Sequence, residues 1–189
     1  LENPKRGDII KTLDELAKKV KATENLVIFY AGHGIWDSDF KKGYWLPADA
    51  QQGSRSNWFS NSDLRDYIGG IKSKHTLLIA DACFSGGIFK TREAFTGASK
   101  AILETYKLPS RKAMTSGAMK TVPDKSVFLE FFVKRLVENT ELYISSESLF
   151  ASFKQAVINN SPNGQVPQFG EIHETGDEGG DFIFTKRKK

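Results

Sequence analysis

Cysteine is nearly absent: Cys83 is the single one among 189 residues. No internal disulfide can form, which suits a reducing compartment, and a cytoplasmic location is the expectation. Long apolar runs are missing as well, so no membrane-spanning helix is expected. The opening Leu1-Glu2-Asn3-Pro4-Lys5-Arg6-Gly7 lacks the apolar core of a secretion signal and has no initiator methionine, which points to a fragment or a processed chain. Charge of one sign is scarce. The formal net charge is +4, and the clearest basic run, residues 186–189, is a solvated tail rather than a nucleic-acid surface. The His and Cys residues show no metal-ligand spacing, so neither a metal nor a cofactor is expected. A G-x-S-x-G elbow, a P-loop and a dinucleotide fingerprint are all missing, and the acidic, glycine-rich residues 177–181 lack the alternating ligands of a calcium loop.

What remains is an ordinary globular composition, 39% apolar and 26% charged, in a length that fits one domain over residues 1–189. Two short apolar runs, Leu26-Val27-Ile28-Phe29-Tyr30-Ala31 and Thr76-Leu77-Leu78-Ile79-Ala80, are expected as strands buried on both faces, as in a parallel sheet. Helical spacing predicts amphipathic helices over about 8–20 (with Asp8 as cap), 60–71, 124–136 and 146–157. A small hairpin is expected from residues 43–46 and 57–59, a short strand over 111–115 and a last strand over 181–184. Residues 84–110 fit a surface or processing segment. Strands alternating with helices give an α/β fold: a mostly parallel central sheet with helices on both faces. Two strongly apolar strands need neighbours on both sides, so one or more strands upstream are expected to complete the sheet, supplied by an upstream fragment or a fused regulatory domain.

Open parallel sheets place their sites at the carboxyl ends of the strands. One run here ends in Ala31-Gly32-His33-Gly34 and the other in Asp81-Ala82-Cys83-Phe84-Ser85-Gly86-Gly87. Parallel neighbours point the same way, so a thiol and an imidazole fifty positions apart can meet at one edge. A thiolate attacks, and a histidine supplies and accepts protons. The glycines beside His33 allow close backbone approach and expose N–H groups of the kind an oxyanion requires. Either residue alone fits a bland role, a buried thiol or a turn-capping imidazole; the pairing favours chemistry. Asp81 shares a strand face with Cys83. A negative charge there works against a thiolate, so Asp81 makes better sense facing a cationic substrate side chain, or as a turn former bonded to loop amides. Trp36, Trp45, Trp58 and Phe59 line a cleft or pack in the core, the second role being commoner.

The strings 29–34 and 81–86 resemble the catalytic histidine and cysteine segments of the caspase superfamily, most closely the bacterial caspase-like proteins and metacaspases, in which the histidine precedes the cysteine by about fifty residues. Gly43-Tyr44-Trp45-Leu46-Pro47, Arg111-Lys112-Ala113-Met114-Thr115-Ser116-Gly117 and Gly179-Gly180-Asp181-Phe182-Ile183-Phe184 agree with it. The resemblance implies a three-layer caspase-like fold whose first strand is absent here, and a cysteine endopeptidase acting on proteins or peptides. It implies a catalytic dyad of His33 and Cys83, an oxyanion hole of the Gly34 and Cys83 N–H groups, and a substrate channel bordered by Thr115, Ser116 and Gly117. Caspases that cut after aspartate carry glutamine two residues before the cysteine; metacaspases carry aspartate there, the place of Asp81, and cut after Arg or Lys. The acidic residues that bind calcium in many metacaspases are not evident after Cys83. Lys90, Arg92 and Lys100 lie in a segment suited to self-cleavage. Neither a nucleic-acid nor a membrane partner is expected. The competing readings are a catalytically inactive caspase-like signalling module, which commonly loses the His or the Cys, and a non-peptidase cysteine hydrolase.

Overall fold

A sheet with one core on each face organises the computed structural model, which describes residues 1–82, 88–90, 99–117, 125–162 and 164–187. The elements run α1 (Arg6–Lys19), β1 (Asn25–Ala31), β2 (Gly34–Asp37), β3 (Lys42–Trp45), β4 (Phe59–Ser60), α2 (Asn61–Gly70), β5 (His75–Asp81), β6 (Phe89–Lys90), α3 (Ser99–Lys107), β7 (Ser110–Thr115), α4 (Val127–Glu138), β8 (Tyr143–Ser145), α5 (Ser146–Asn160), β9 (Gln168–Ile172) and β10 (Ile183–Thr185).

The central sheet has the order β1-β5-β7-β9-β6. The first three strands are parallel, and β9 and β6 join antiparallel. Side chains alternate along a strand, so β5 and β7 feed two cores. On one face Leu78 and Ala113 meet Ile9 and Leu13 of α1 and Leu64 and Ile68 of α2. On the other, Leu77, Ile79 and Met114 meet Phe128 and Phe132 of α4 and Leu149, Phe153 and Val157 of α5. Phe153, fully buried, is edge-on to Phe128, Phe132 and Phe150. Burying such a ring contributes roughly 1.5–3 kcal/mol. The expected three-layer α/β arrangement with a mostly parallel sheet is therefore present.

Local chemistry explains the helix starts. Ser60, Ser126 and Ser145 each stand at an N-cap and accept the N–H three residues on, from Asp63, Leu129 and Ser148. Asp8 is not a cap, contrary to expectation: α1 begins at Arg6, and the Asp8 carboxylate reaches back to the Lys5 N–H at 3.0 Å. The N-terminus of α5 is clasped by Asp181, whose carboxylate accepts from the Ser146 hydroxyl and from the Glu147 and Phe182 N–H groups. Burial pushes that carboxyl up, and these bonds oppose the shift. The Arg111 guanidinium, held down from its ordinary value by burial, donates to the carbonyls of Ile71, Ser73, Lys74 and Ser110.

Three expectations need correction. β1 is not buried on both faces: it is an edge strand whose Leu26, Ile28 and Tyr30 pack on the core while Val27 and Phe29 stay about half exposed, because no described element covers that side. The hairpin is a three-stranded sheet, β2-β3-β4. The last strand, expected over 181–184, is β10 over 183–185, and it pairs with β8. Of residues 84–110, β6 and α3 are described; residues 83–87 and 91–98 lie outside the described residues.

Candidate active site

The parallel ladder of β1 and β5 runs from Asn25↔His75 to Ala31↔Asp81, and β7 continues it with Ala80↔Thr115. Three strands thus end together on one edge. Beyond the last rung, the Gly32 N–H reaches the Asp81 carbonyl at 3.4 Å, and the Ser116 N–H the Ala80 carbonyl at 3.1 Å. The Ser116 hydroxyl lies 3.5 Å from the Ala82 carbonyl. His33 stands two residues past Ala31 and is exposed; Cys83 stands two residues past Asp81 in the chain and lies outside the described residues.

The backbone at His33 is tightly held. β2 and β3 pair antiparallel with Gly34 opposite Trp45. The His33 carbonyl accepts from the Leu46 N–H at 2.9 Å, which makes Gly34–Trp45 a non-hydrogen-bonded pair. The Gly34 N–H therefore points away from β3. The same His33 carbonyl accepts from the Tyr30 hydroxyl at 2.7 Å. The Tyr30 ring lies flat on Trp45, with centroids 3.9 Å apart and planes 6° from parallel. Gly32 leaves room for that ring: a Cβ there would fall 2.8 Å from the Tyr30 oxygen. Trp45 and Phe59 are core residues, while Trp36 and Trp58 are half-buried.

Asp81, at the end of a fully buried strand, is 5% exposed, and its Oδ1 has no hydrogen-bond partner among the described residues. An ionised oxygen so placed is costly unless a cation or donor faces it. Thr115 is buried with its hydroxyl likewise unmatched among the described residues, and Ser116 is fully buried. Gly117 adopts a left-handed φ of +71° directly against the Val166 carbonyl, which a Cβ would approach to 1.7 Å. Close main-chain packing thus fixes the exit of β7 beside the end of β5.

A groove of about 850 Å³ follows the open edge of β1 to this site, between α1 and residues 45–50. Leu13, Leu16, Phe29, Tyr30 and Trp45 line it, His33 stands at its wall, and among the described residues no Asp, Glu, Lys or Arg contributes. Among the described residues no group of His, Cys, Asp and Glu is arranged to hold a metal, and no helix is long and apolar enough to cross a membrane. Residue spacing did not single out Tyr30; its only sequence signal was its place three residues before His33.

Comparison with known proteins agrees with this architecture. Protein GSU0716 from Geobacter sulfurreducens, known from a crystal structure, shares the fold at a TM-score of 0.55 and 15% identity, over 88% of this chain and 73% of that one. No curated protein sequence matches significantly. The model of the Peptidase C14 caspase domain matches residues 1–175, nearly the whole chain. The shared strand edge, the histidine and cysteine segments two residues past its last rung, and this match place the chain in the caspase-domain family of C14 peptidases.

Proposed function

We propose that the protein is a cysteine endopeptidase that cuts polypeptides after Arg or Lys. The observation that carries this reading is the Ala31↔Asp81 rung that closes two adjacent parallel strands: in the sequence His33 and Cys83 each come two residues after it. In the proposed reaction His33 takes the Cys83 thiol proton and the thiolate attacks the scissile carbonyl carbon. The oxyanion forms against the N–H groups of Gly34 and Cys83. His33 returns its proton to the leaving amine as the C–N bond breaks, which leaves a thioester. Water then attacks the thioester carbon as His33 accepts its proton, the C–S bond breaks to release the acid, and His33 returns the proton to the Cys83 thiolate. The orientation of the Gly34 N–H away from β3 supports its part in this scheme.

The carboxylate oxygen of Asp81 that has no partner among the described residues supports the basic specificity. A guanidinium or ammonium group docked there gives that oxygen a donor, whereas an acidic side chain brings another acceptor against it. Thr115, Ser116 and Gly117, strapped to the end of β5, border the channel in this reading. Peptide reporters ending in Arg, Lys and Asp test it. Turnover of the first two, abolished by Cys83→Ala and by His33→Ala, is the expected result. A preference for Asp rejects the specificity, and inert reporters with no labelling of Cys83 by a peptidyl electrophile leave a signalling module.

A further inference from the structure

We infer that Tyr30 is a positioning residue for His33, acting through the main chain. This rests on the peptidase reading for its kinetic consequence, but not for its structural one. A general base needs a fixed orientation, and in most such sites a third side chain bonds the second ring nitrogen. His33 is exposed, and among the described residues no hydrogen bond to its ring nitrogens is present. The direction of its imidazole therefore depends on how firmly its own backbone is held.

Two donors hold it. The Leu46 N–H, from the strand side, and the Tyr30 hydroxyl, from the opposite side in sequence, converge on the His33 carbonyl at 2.9 and 2.7 Å. The first is a ladder bond that any residue at position 46 other than proline supplies. The second requires a phenol at position 30. The hydroxyl is placed by the flat stack of its ring on Trp45, itself 4% exposed and packed at 5.8 Å on Phe59. An aromatic column thus runs from the buried Phe59 and Trp45 through the half-buried Tyr30 to the carbonyl of the base. Gly32 completes the device: its missing side chain lets the ring pass beneath the turn, with a notional Cβ at 2.8 Å from the hydroxyl and 2.9 Å from the ring carbon that bears it. Tyr30 also lines the groove that reaches His33, yet the bond to the backbone, not contact with a substrate, defines its role.

Tyr30→Phe tests this, because it removes one oxygen and keeps the stack. The expected result is a kcat lower by about 10- to 100-fold, the scale of a displaced catalytic group, with KM and the melting temperature nearly unchanged. The second readout needs no activity: in the ¹³C relaxation of the His33 Cε1–H, the variant shows a more mobile ring than the wild type. If kcat and ring mobility are both unchanged, the inference fails. It fails as well if KM rises at constant kcat, which makes Tyr30 a substrate contact. If the wild type cleaves no peptide but the ring loosens in the variant, the positioning role stands and the peptidase reading falls.

Discussion

Asp81 stands directly across from Ala31 on the last rung of two parallel strands, buried to 95% and with one carboxylate oxygen unmatched among the described residues. In the proposed reading a cationic substrate side chain meets that oxygen. Asp81→Asn removes the charge at nearly constant volume. Cleavage after Arg or Lys is expected to fall about 100-fold or more in kcat/KM, in line with the loss of a buried charge pair. The folded state is expected to gain about 1 kcal/mol, because a buried amide short of a partner costs less than a carboxylate in the same place. Reporter kinetics and urea titrations on one preparation check both. Unchanged specificity together with lower stability marks Asp81 as purely structural.

Gly117 and Gly176 separate two costs of a side chain at positive φ. Both are left-handed, at +71° and +83°, but a Cβ at Gly117 meets the Val166 carbonyl at 1.7 Å while one at Gly176 meets nothing within 4 Å. Gly176→Ala carries backbone strain alone, about 1 kcal/mol. Gly117→Ala adds a clash with main chain that cannot rotate aside, for a total of about 3 kcal/mol or more. Thermal melts are expected to place the Gly117 variant well below the Gly176 variant, and equal melting temperatures count against this packing. The Gly117 variant also strains the Ser116 N–H bond to the Ala80 carbonyl, so turnover of the Arg and Lys reporters expected on the proposed reading falls further than its stability explains.

How much of this was legible beforehand depended on whether a residue's role was local. The α2, α4 and α5 starts were readable because a serine cap and the apolar spacing lie within a few residues of one another. The site edge was readable because two apolar runs each end in a small, reactive string. β9 escaped because Gly170 and Glu171 look like loop; Glu171 is a strand residue through its ladders with Lys112 of β7 and Lys90 of β6, which are far away in the sequence. β1 misled because Val27 and Phe29 look like core, and their exposure depends on what packs alongside, which no strand sequence contains. Tyr30 escaped for the opposite reason. A tyrosine in an apolar run looks like packing, and only the coordinates show its hydroxyl on the carbonyl of the histidine.

His75 predicts an acid limit to stability. It is fully buried at the opposite end of β5 from the site, with Nε2–H donating to the Tyr106 carbonyl at 3.1 Å and Nδ1 accepting from the Ser110 hydroxyl at 2.9 Å. Burial pushes its pKa down from 6.5 to about 4, and the neighbouring Lys74 and Arg111 add to the effect. The unfolded chain therefore binds a proton that the folded one refuses between these two values. The sign follows: stability is intact above pH 6.5 and is lost as pH falls toward about 4. The loss is on the order of 2–3 kcal/mol. Urea unfolding across that range is expected to show it in the wild type and not in His75→Gln. A variant as acid-sensitive as the wild type assigns the effect to other groups.

Self-cleavage within residues 84–110 is expected at Arg92. A peptidase needs its substrate extended and unpaired, and three of the four basic residues of this segment do not meet that demand. Lys90 is in β6, paired with Glu171 of β9, and Lys100 and Lys107 are in the first and last turns of α3. Cutting at any of them requires a strand or a helix end to open first. Arg92 lies outside the described residues. Mass spectrometry of the purified wild type is expected to find a break after Arg92, absent from Cys83→Ala and from Arg92→Gln. A break after Lys90 or Lys100 in the wild type shows that β6 or α3 opens on the timescale of the reaction. The same fragments in Cys83→Ala show that another protease made them.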